Sequence, residues 1–191
     1  MGIRNSLAIG AAVVALMAGC GGFEGDDTAA DGQAEVEVPT TAAAAAGETV
    51  EITAVDYGFE GVPDSVETGT ELTLTNDSED EVHEMVVLRV DDDDETRPLE
   101  ELLQLPDEEA EQVTTFAGVS VALPGDQGVT PEGPVVLSEP GRYVMLCFIP
   151  TGADPDAYRQ AIEGDATDAP QVEGGPPHVA EGMVAEFEVS G

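Results

Sequence analysis

The sequence predicts an all-β fold, a sandwich of short antiparallel strands that occupies residues 48–191 as one domain. Apolar and polar residues alternate over residues 50–54 and again over residues 72–74, which is the period of a half-buried strand. Turn-forming residues separate such stretches, as in the sequence EPG at residues 139–141. No helical pattern recurs between the stretches, although parallel βαβ units would require one. These observations favour a sandwich over an α/β fold.

Longer apolar stretches predict the central strands. Residues 82–90 form an almost continuous apolar run that only three polar residues interrupt. Residues 135–137 and 143–149 flank a turn, which predicts a hairpin whose second arm is another central strand. Residues 183–189 alternate once more and predict the last strand.

Two insertions interrupt the predicted sandwich, at about residues 91–134 and 150–177. The first begins with the acidic sequence DDDDE and continues with Thr96 and Pro98, which suit the cap and first turn of a short helix. We interpret the acidic run as solvated surface, because a calcium-binding loop would need regular ligand spacing and a glycine turn.

The second insertion predicts another short helix. Asp154 is a suitable N-cap, Pro155 suits the first helical position, and Gly164 is a suitable stop. The expected helix therefore has about two turns.

The first 19 residues predict a signal peptide. A single charge at Arg4 precedes an apolar run at residues 7–18, which is too short for a permanent membrane span. The sequence LMAGC resembles a lipobox, which predicts cleavage before Cys20, lipidation of its thiol and a membrane-anchored, extracytoplasmic location. The alternative is an ordinary secretory signal, which also places the protein outside the cytoplasm. Residues 20–47 are small and acidic and predict a flexible tether.

The chain after residue 19 is strongly acidic. It contains four arginines, no lysine and all 41 acidic residues, which gives a formal charge of −37. This field repels nucleic acid, so we expect no nucleic-acid partner. A uniform acidic surface suits a halophilic protein, because 1 M salt screens charges beyond about 3 Å. An acidic face for a cationic partner is the alternative.

Four side chains that bind soft metals occupy suggestive positions. His83 begins a predicted central strand, Cys147 lies near the end of another, His178 follows a glycine and proline turn, and Met183 opens the last strand. Two imidazoles, a thiolate and a thioether form the ligand set of a mononuclear type 1 copper site. The chain has only two histidines and one cysteine besides Cys20, and all three fall in this set.

Each of these residues also has a simpler structural interpretation. His178 could be a solvated turn histidine, and His83 could be a core histidine bonded to a backbone carbonyl. Cys147 could be an inert buried thiol, and Met183 could fill the core. The sequence leaves these alternatives open.

Around these residues the sequence resembles the cupredoxins, the plastocyanin-like blue copper proteins, over roughly residues 50–189. The resemblance lies in YGF at residues 57–59, VETGT at residues 66–70, TN at residues 75–76 ahead of His83, PGRY at residues 140–143 ahead of Cys147, and His178 and Met183 leading into VAEFEV.

The resemblance implies an eight-stranded Greek-key sandwich with one copper ion that undergoes outer-sphere electron transfer. His83, Cys147 and His178 would form a trigonal plane, and Met183 would be the long axial ligand, with Met85 a weaker candidate for that place. One feature departs from the family pattern, because 30 residues separate Cys147 from His178 where most relatives have only a few. The longer loop costs roughly 2 kcal/mol of closure entropy. Metal binding contributes on the order of 10 kcal/mol, so the insertion need not abolish the site.

The sequence therefore predicts a monomeric, lipid-anchored electron carrier whose partner is another redox protein. The alternative is a binding module of the same fold that lacks copper or acts as a copper carrier or sensor. An oxidase is disfavoured, because two histidines cannot also supply an oxygen-reducing copper cluster.

Overall fold

The computed structural model describes residues 47–164 and 172–191. The predicted signal peptide, the lipidation site at Cys20 and the tether, apart from Gly47, lie outside the described residues. Within the described ranges, the chain forms two β-sheets that pack face to face around one main core. The predicted all-β sandwich with short helices in its long loops is confirmed.

Nine strands are present in the described ranges, one more than the resemblance implies. They are β1 (Thr49–Val55), β2 (Gly58–Glu60), β3 (Ser65–Glu67), β4 (Glu71–Asn76), β5 (His83–Val90), β6 (Thr114–Ala122), β7 (Val135–Val136), β8 (Gly141–Leu146) and β9 (Val184–Ser190). Three short α-helices accompany them, α1 (Leu99–Leu102), α2 (Asp107–Val113) and α3 (Pro155–Glu163), together with 3₁₀ turns at Asp92–Asp94 and His178–Glu181. None of these helices is long and apolar enough to cross a membrane.

The two sheets are mixed, which differs from the purely antiparallel arrangement predicted from the sequence. The first sheet has the order β2-β1-β4-β7, and the second has the order β3-β9-β8-β5-β6. Two neighbouring pairs are parallel, β1 with β4 and β3 with β9. The chain leaves the first sheet after β2, adds β3 to the second sheet and then returns. As a result, β4 enters beside β1 in the same direction.

Strand β8 shows how the sequence pattern places the core. Tyr143 and Met145 point into the main core between the sheets, whereas Val144 and Leu146 belong to a second cluster with Leu102 of α1. Successive side chains of a strand face opposite sides, so a strand that is covered on both faces reads as a continuous apolar run. The prediction of a central strand here is correct for that reason. The predicted hairpin is wrong, because β7 pairs with β4 in the first sheet whereas β8 lies in the second sheet.

Strand β6 differs from the sequence prediction, which placed residues 91–134 in an insertion. This strand has nine residues and pairs with β5 along its whole length. Its buried positions are Gly118, Ser120 and Ala122, so its inward face carries small residues, and its larger apolar residues are half-buried. The usual apolar alternation is therefore too weak to indicate a strand.

The two helices expected in the insertions are present. In α3, the Asp154 side chain accepts a hydrogen bond from the backbone N–H of Asp156 at 2.9 Å, and a proline follows the cap as predicted. In the first insertion, α1 begins after Pro98 and has no side-chain cap, so Thr96 does not have the predicted capping role.

Asn76, at the end of β4, connects the two sheets. Its side chain is fully buried, and its Nδ2 donates to the carbonyl oxygens of Glu81 at 2.8 Å and of Ala122 at 3.1 Å. Its Oδ1 accepts from the backbone N–H of Ser78 at 2.9 Å. These three bonds fix the loop that leads into β5, and they therefore fix the position of His83.

We expect Asn76→Ala to lower the free energy of unfolding by about 2–4 kcal/mol, because it leaves buried backbone groups without a partner. Urea denaturation at a fixed salt concentration measures this change. Ser120→Ala is the matched control, since the buried Ser120 hydroxyl has no hydrogen-bond partner in the described part of the chain and its loss should be nearly neutral. Equal effects of the two substitutions would contradict the role assigned to Asn76.

Candidate metal centre

Three of the four predicted ligands lie together at one end of the sandwich. His83 is the first residue of β5, and Cys147 directly follows β8, which is the antiparallel neighbour of β5. His178 opens the 3₁₀ turn that precedes β9. One donor atom from each residue lies within 4.8 Å of the other two, and all three residues are fully buried.

Backbone hydrogen bonds bring His178 back to Cys147 across the long insertion. The backbone N–H of His178 donates to the carbonyl of Ile149 at 3.0 Å, and that of Val179 donates to the carbonyl of Cys147 at 2.8 Å. Pro150 and Pro177 form a bridge at the base of the insertion. The two ends of the insertion are therefore paired, and the ligand residues meet although 30 residues separate them in sequence.

Met183, the predicted axial ligand, follows the same turn. Its backbone N–H donates to the carbonyl of His178 at 2.9 Å, and Gly182 closes the turn with a φ of 104° that favours glycine. The Met183 side chain is fully buried and belongs to the main core, as do Met85 and Met145. Its role as axial ligand stays a prediction.

The two imidazoles are neutral at physiological pH. Burial, together with the neighbouring His178, lowers the pKa of His83 to about 4. Burial also lowers the pKa of His178, although Glu81 opposes this shift. The two ring centroids lie 4.8 Å apart. Neutral rings retain the lone pairs that a metal ion requires.

The thiol of Cys147 is protonated in the absence of a metal. Its Sγ lies 3.3 Å from Nδ1 of His178 and accepts a hydrogen bond from the backbone N–H of Glu84 at 3.4 Å. Burial raises the pKa of Cys147 to about 12, and the backbone bond only partly offsets that effect. A coordinating cation deprotonates a thiol outright, so it would supply the charge that this environment lacks.

The cluster fits a metal ion better than it fits the simpler interpretations. Among the residues that the structure describes, neither ring nitrogen of His83 has a hydrogen-bond partner, so this ring is not a core histidine bonded to a carbonyl of that part of the chain. His178 is fully buried, so it is not a solvated turn residue. An ion held at about 2 Å needs donors roughly 3–4 Å apart. The contact between Cys147 and His178 meets this distance, and the widest donor separation slightly exceeds it.

Two residues outside the predicted ligand set contact His178. Oε2 of Glu81 lies 3.3 Å from Nε2 of His178, without full hydrogen-bond geometry. The Tyr57 ring packs edge-on against the His178 ring at a centroid distance of 5.3 Å. Glu81 lies two residues before His83, on the same face of an extended chain. This spacing of two residues is the sequence signal that could have indicated Glu81 as a neighbour of the site. It is weak, because the chain has 41 acidic residues and such a spacing arises easily among them.

Comparisons with known proteins give low similarity. No family model matches the chain, and no curated protein sequence matches it. A reduced auracyanin from Roseiflexus castenholzii is 20% identical at a TM-score of 0.42 and covers 76% of this chain and 99% of its own. Auracyanin B is 16% identical at a TM-score of 0.41 and covers 75% of this chain and 89% of its own. Auracyanin A from Chloroflexus aurantiacus, described as a "blue" copper protein, is 12% identical at a TM-score of 0.38. It covers 74% of this chain and 98% of its own.

We expect the His83 ring of the metal-free protein to titrate near pH 4, well below an ordinary histidine. Between about pH 6.5 and 4 the unfolded chain binds a proton at this residue and the folded chain does not. The free energy of unfolding should therefore fall on acidification, by on the order of 3 kcal/mol from this residue. Imidazole NMR signals measure the titration directly, and the chain has only two histidines. A His83 titration at or above pH 6.5 would contradict the assignment.

We expect metal binding at pH 7 to release about one proton per ion, because the thiol must ionise whereas the imidazoles are already neutral. Titration with Zn²⁺, which cannot oxidise the thiol, in weak buffer with a pH indicator measures this release. Cys147→Ser should abolish it. Release of two or more protons would show that the imidazoles were charged.

Proposed function

We propose that the protein is an extracytoplasmic type 1 copper protein that carries single electrons. One copper ion would be held by His83, Cys147 and His178, with Met183 as the axial ligand. The observation that carries the proposal is the convergence of two imidazoles and one thiol in a buried pocket. The chain has no further histidine, and its remaining cysteine is the predicted lipidation site.

The donor set favours copper over other metals. Thiolate and imidazole ligands suit both Cu(I) and Cu(II), and Cu(II) binds such ligands more tightly than Zn²⁺ does. Structural zinc sites usually have four strong ligands, whereas this cluster offers three. When bound, copper supplies one-electron exchange between its two oxidation states.

The surrounding chain would keep the ligands in place during that exchange. His83 and Cys147 are attached to paired strands, and the backbone bonds described above fix His178. All three donors are buried, so little water has to reorganise when the charge of the site changes. Rigid ligands and excluded water are the properties that favour rapid electron transfer over substrate chemistry.

The predicted location and partners form part of the same proposal. The predicted signal peptide and the lipobox-like sequence at Cys20 support anchoring of the protein outside the cytoplasm through a lipid. The formal charge of −37 after residue 19 disfavours nucleic acid as a partner and suits a high-salt environment. We propose that the protein is a monomer that exchanges electrons with another redox protein.

A copper carrier or sensor is the second candidate function. The specific observation in its favour is that both histidines are fully buried, so neither presents an exposed ring edge through which an electron could leave. A buried soft-metal site with no such exit suits retention of the ion.

Addition of Cu(II) to the purified protein should give an intense blue colour, because thiolate-to-copper charge transfer absorbs visible light. A reductant should bleach the colour and an oxidant should restore it. Visible spectra and a redox titration measure both effects. A colourless sample would contradict the electron-carrier proposal, and a colour that reduction does not reverse would favour the carrier or sensor.

Two variants test the ligand assignment. Cys147→Ser should abolish the colour while the fold is retained, since serine is similar in size but offers no thiolate. Met145→Leu is the matched control, because it alters a buried core residue two positions away and should leave the colour unchanged. An unchanged spectrum in Cys147→Ser would overturn the assignment.

A further inference from the structure

We propose that Glu81 is a positioning residue for the metal site, whose carboxylate faces Nε2 of His178, keeps the ring proton on that nitrogen and leaves Nδ1 as the donor to the metal. This inference rests on the proposed function, and it names a residue outside the predicted ligand set. It explains how the chain selects one of the two nitrogens of the His178 ring.

The two ring nitrogens of His178 lie beside different functional groups, a thiol and a carboxylate. Nδ1 lies 3.3 Å from Sγ of Cys147, whereas Nε2 lies 3.3 Å from Oε2 of Glu81. The imidazole is fully buried, and the Glu81 side chain is only 14% exposed. The ring therefore lies between a thiol and a carboxylate.

This arrangement distinguishes the two neutral tautomers of the ring. In the Nε2–H tautomer, the ring proton lies on the nitrogen that is 3.3 Å from Oε2 of Glu81, and the Nδ1 lone pair points towards the thiol. In the Nδ1–H tautomer, the Nε2 lone pair would face the negative carboxylate, which is repulsive. A metal ligand's second ring nitrogen commonly donates to a carboxylate, which fixes the tautomer and raises the basicity of the ligand.

Glu81 is held in place by contacts at both ends of the residue. Its carbonyl accepts from Asn76 Nδ2 at 2.8 Å, and its backbone N–H donates to Ser78 Oγ at 3.1 Å. Both carboxylate oxygens accept from the backbone N–H of Gly152, at 2.9 and 3.2 Å. The carboxylate thus ties the start of the long insertion to the loop before β5. A side chain fixed in this way positions its neighbour at little entropic cost.

Other negative groups near His178 do not share this position. The charges of Asp56 and Glu181 raise the pKa of His178, but neither residue forms a hydrogen bond with the ring. Among the described residues, Glu81 is the acidic side chain within ion-pair distance of the ring. Glu181 is exposed on the 3₁₀ turn that begins at His178. It therefore provides a matched control, since its removal changes the charge near the ring without removing the contact.

The contact has a consequence for the bound metal. A carboxylate behind a ligand ring strengthens that ligand and adds negative charge near the site, and both effects favour Cu(II) over Cu(I). Removal of the charge should therefore favour Cu(I), and the reduction potential should rise.

The first experiment uses metal-free protein, so it does not depend on copper binding. Ring ¹⁵N NMR at neutral pH should show His178 as the Nε2–H tautomer in the wild type. In Glu81→Met, the population should shift towards the Nδ1–H tautomer, which can donate to Cys147 Sγ, and Glu181→Gln should retain the wild-type tautomer. An Nδ1–H tautomer in the wild type would overturn the proposal without reference to any variant. An unshifted tautomer in a folded Glu81→Met protein would also overturn it.

The second experiment measures the reduction potential of the copper form. Glu81→Gln retains an oxygen for Gly152 but removes the charge, and we expect it to increase the preference for Cu(I) about tenfold, which is about 59 mV for one electron. Glu181→Gln should change the potential less, and Glu81→Asp should retain a potential closer to that of the wild type. Equal shifts in Glu81→Gln and Glu181→Gln would overturn the specific role of Glu81. If no blue site forms, the proposed function fails, and the tautomer experiment still decides the role of Glu81.

Discussion

The burial of His83, Cys147 and His178 in one pocket is the constraint on which the rest of the structure depends. Each buried polar group without a partner costs about 1–3 kcal/mol, and neither nitrogen of His83 has a partner within residues 47–164 and 172–191. A protein whose free energy of unfolding is about 5–15 kcal/mol retains such a cluster only with compensation elsewhere. Coordination of a cation is the compensation that matches the chemistry of all three side chains.

Hydrogen bonds outside the regular strands bring these three residues together. Asn76 links the loop before β5 to the end of β6, and the backbone of residues 178 and 179 bonds to the segment after β8. Glu81 connects the two regions, because its carboxylate binds Gly152 and lies against His178. The site is thus shaped by a few polar contacts at one end of the sandwich, while the apolar core between the sheets provides rigidity.

The acidic composition affects the molecule in two separate ways. Most carboxylates lie on the surface, where salt screens them and their individual contributions to stability are small. Glu81 and Glu84 differ, because each carboxylate accepts a backbone hydrogen bond from the segment that follows Cys147. The donor to Glu81 is Gly152, and the donor to Glu84 is Phe148. Burial raises the pKa of Glu84, so its environment already differs from that of a surface acid. Composition alone does not separate these two structural acids from the others.

The sequence by itself determined the sandwich class, most of its strands and the identity of the candidate ligands. Alternating apolar residues indicate strands wherever the buried face is large, and two histidines and one free cysteine leave few choices of donor. Tertiary structure alone decided the parallel pairs, β6 with its small inward residues, and the contacts of Glu81 and Tyr57 with His178. The physical reason is that strand order and side-chain contact depend on how distant segments pack, whereas local periodicity reports only which face of each strand is buried.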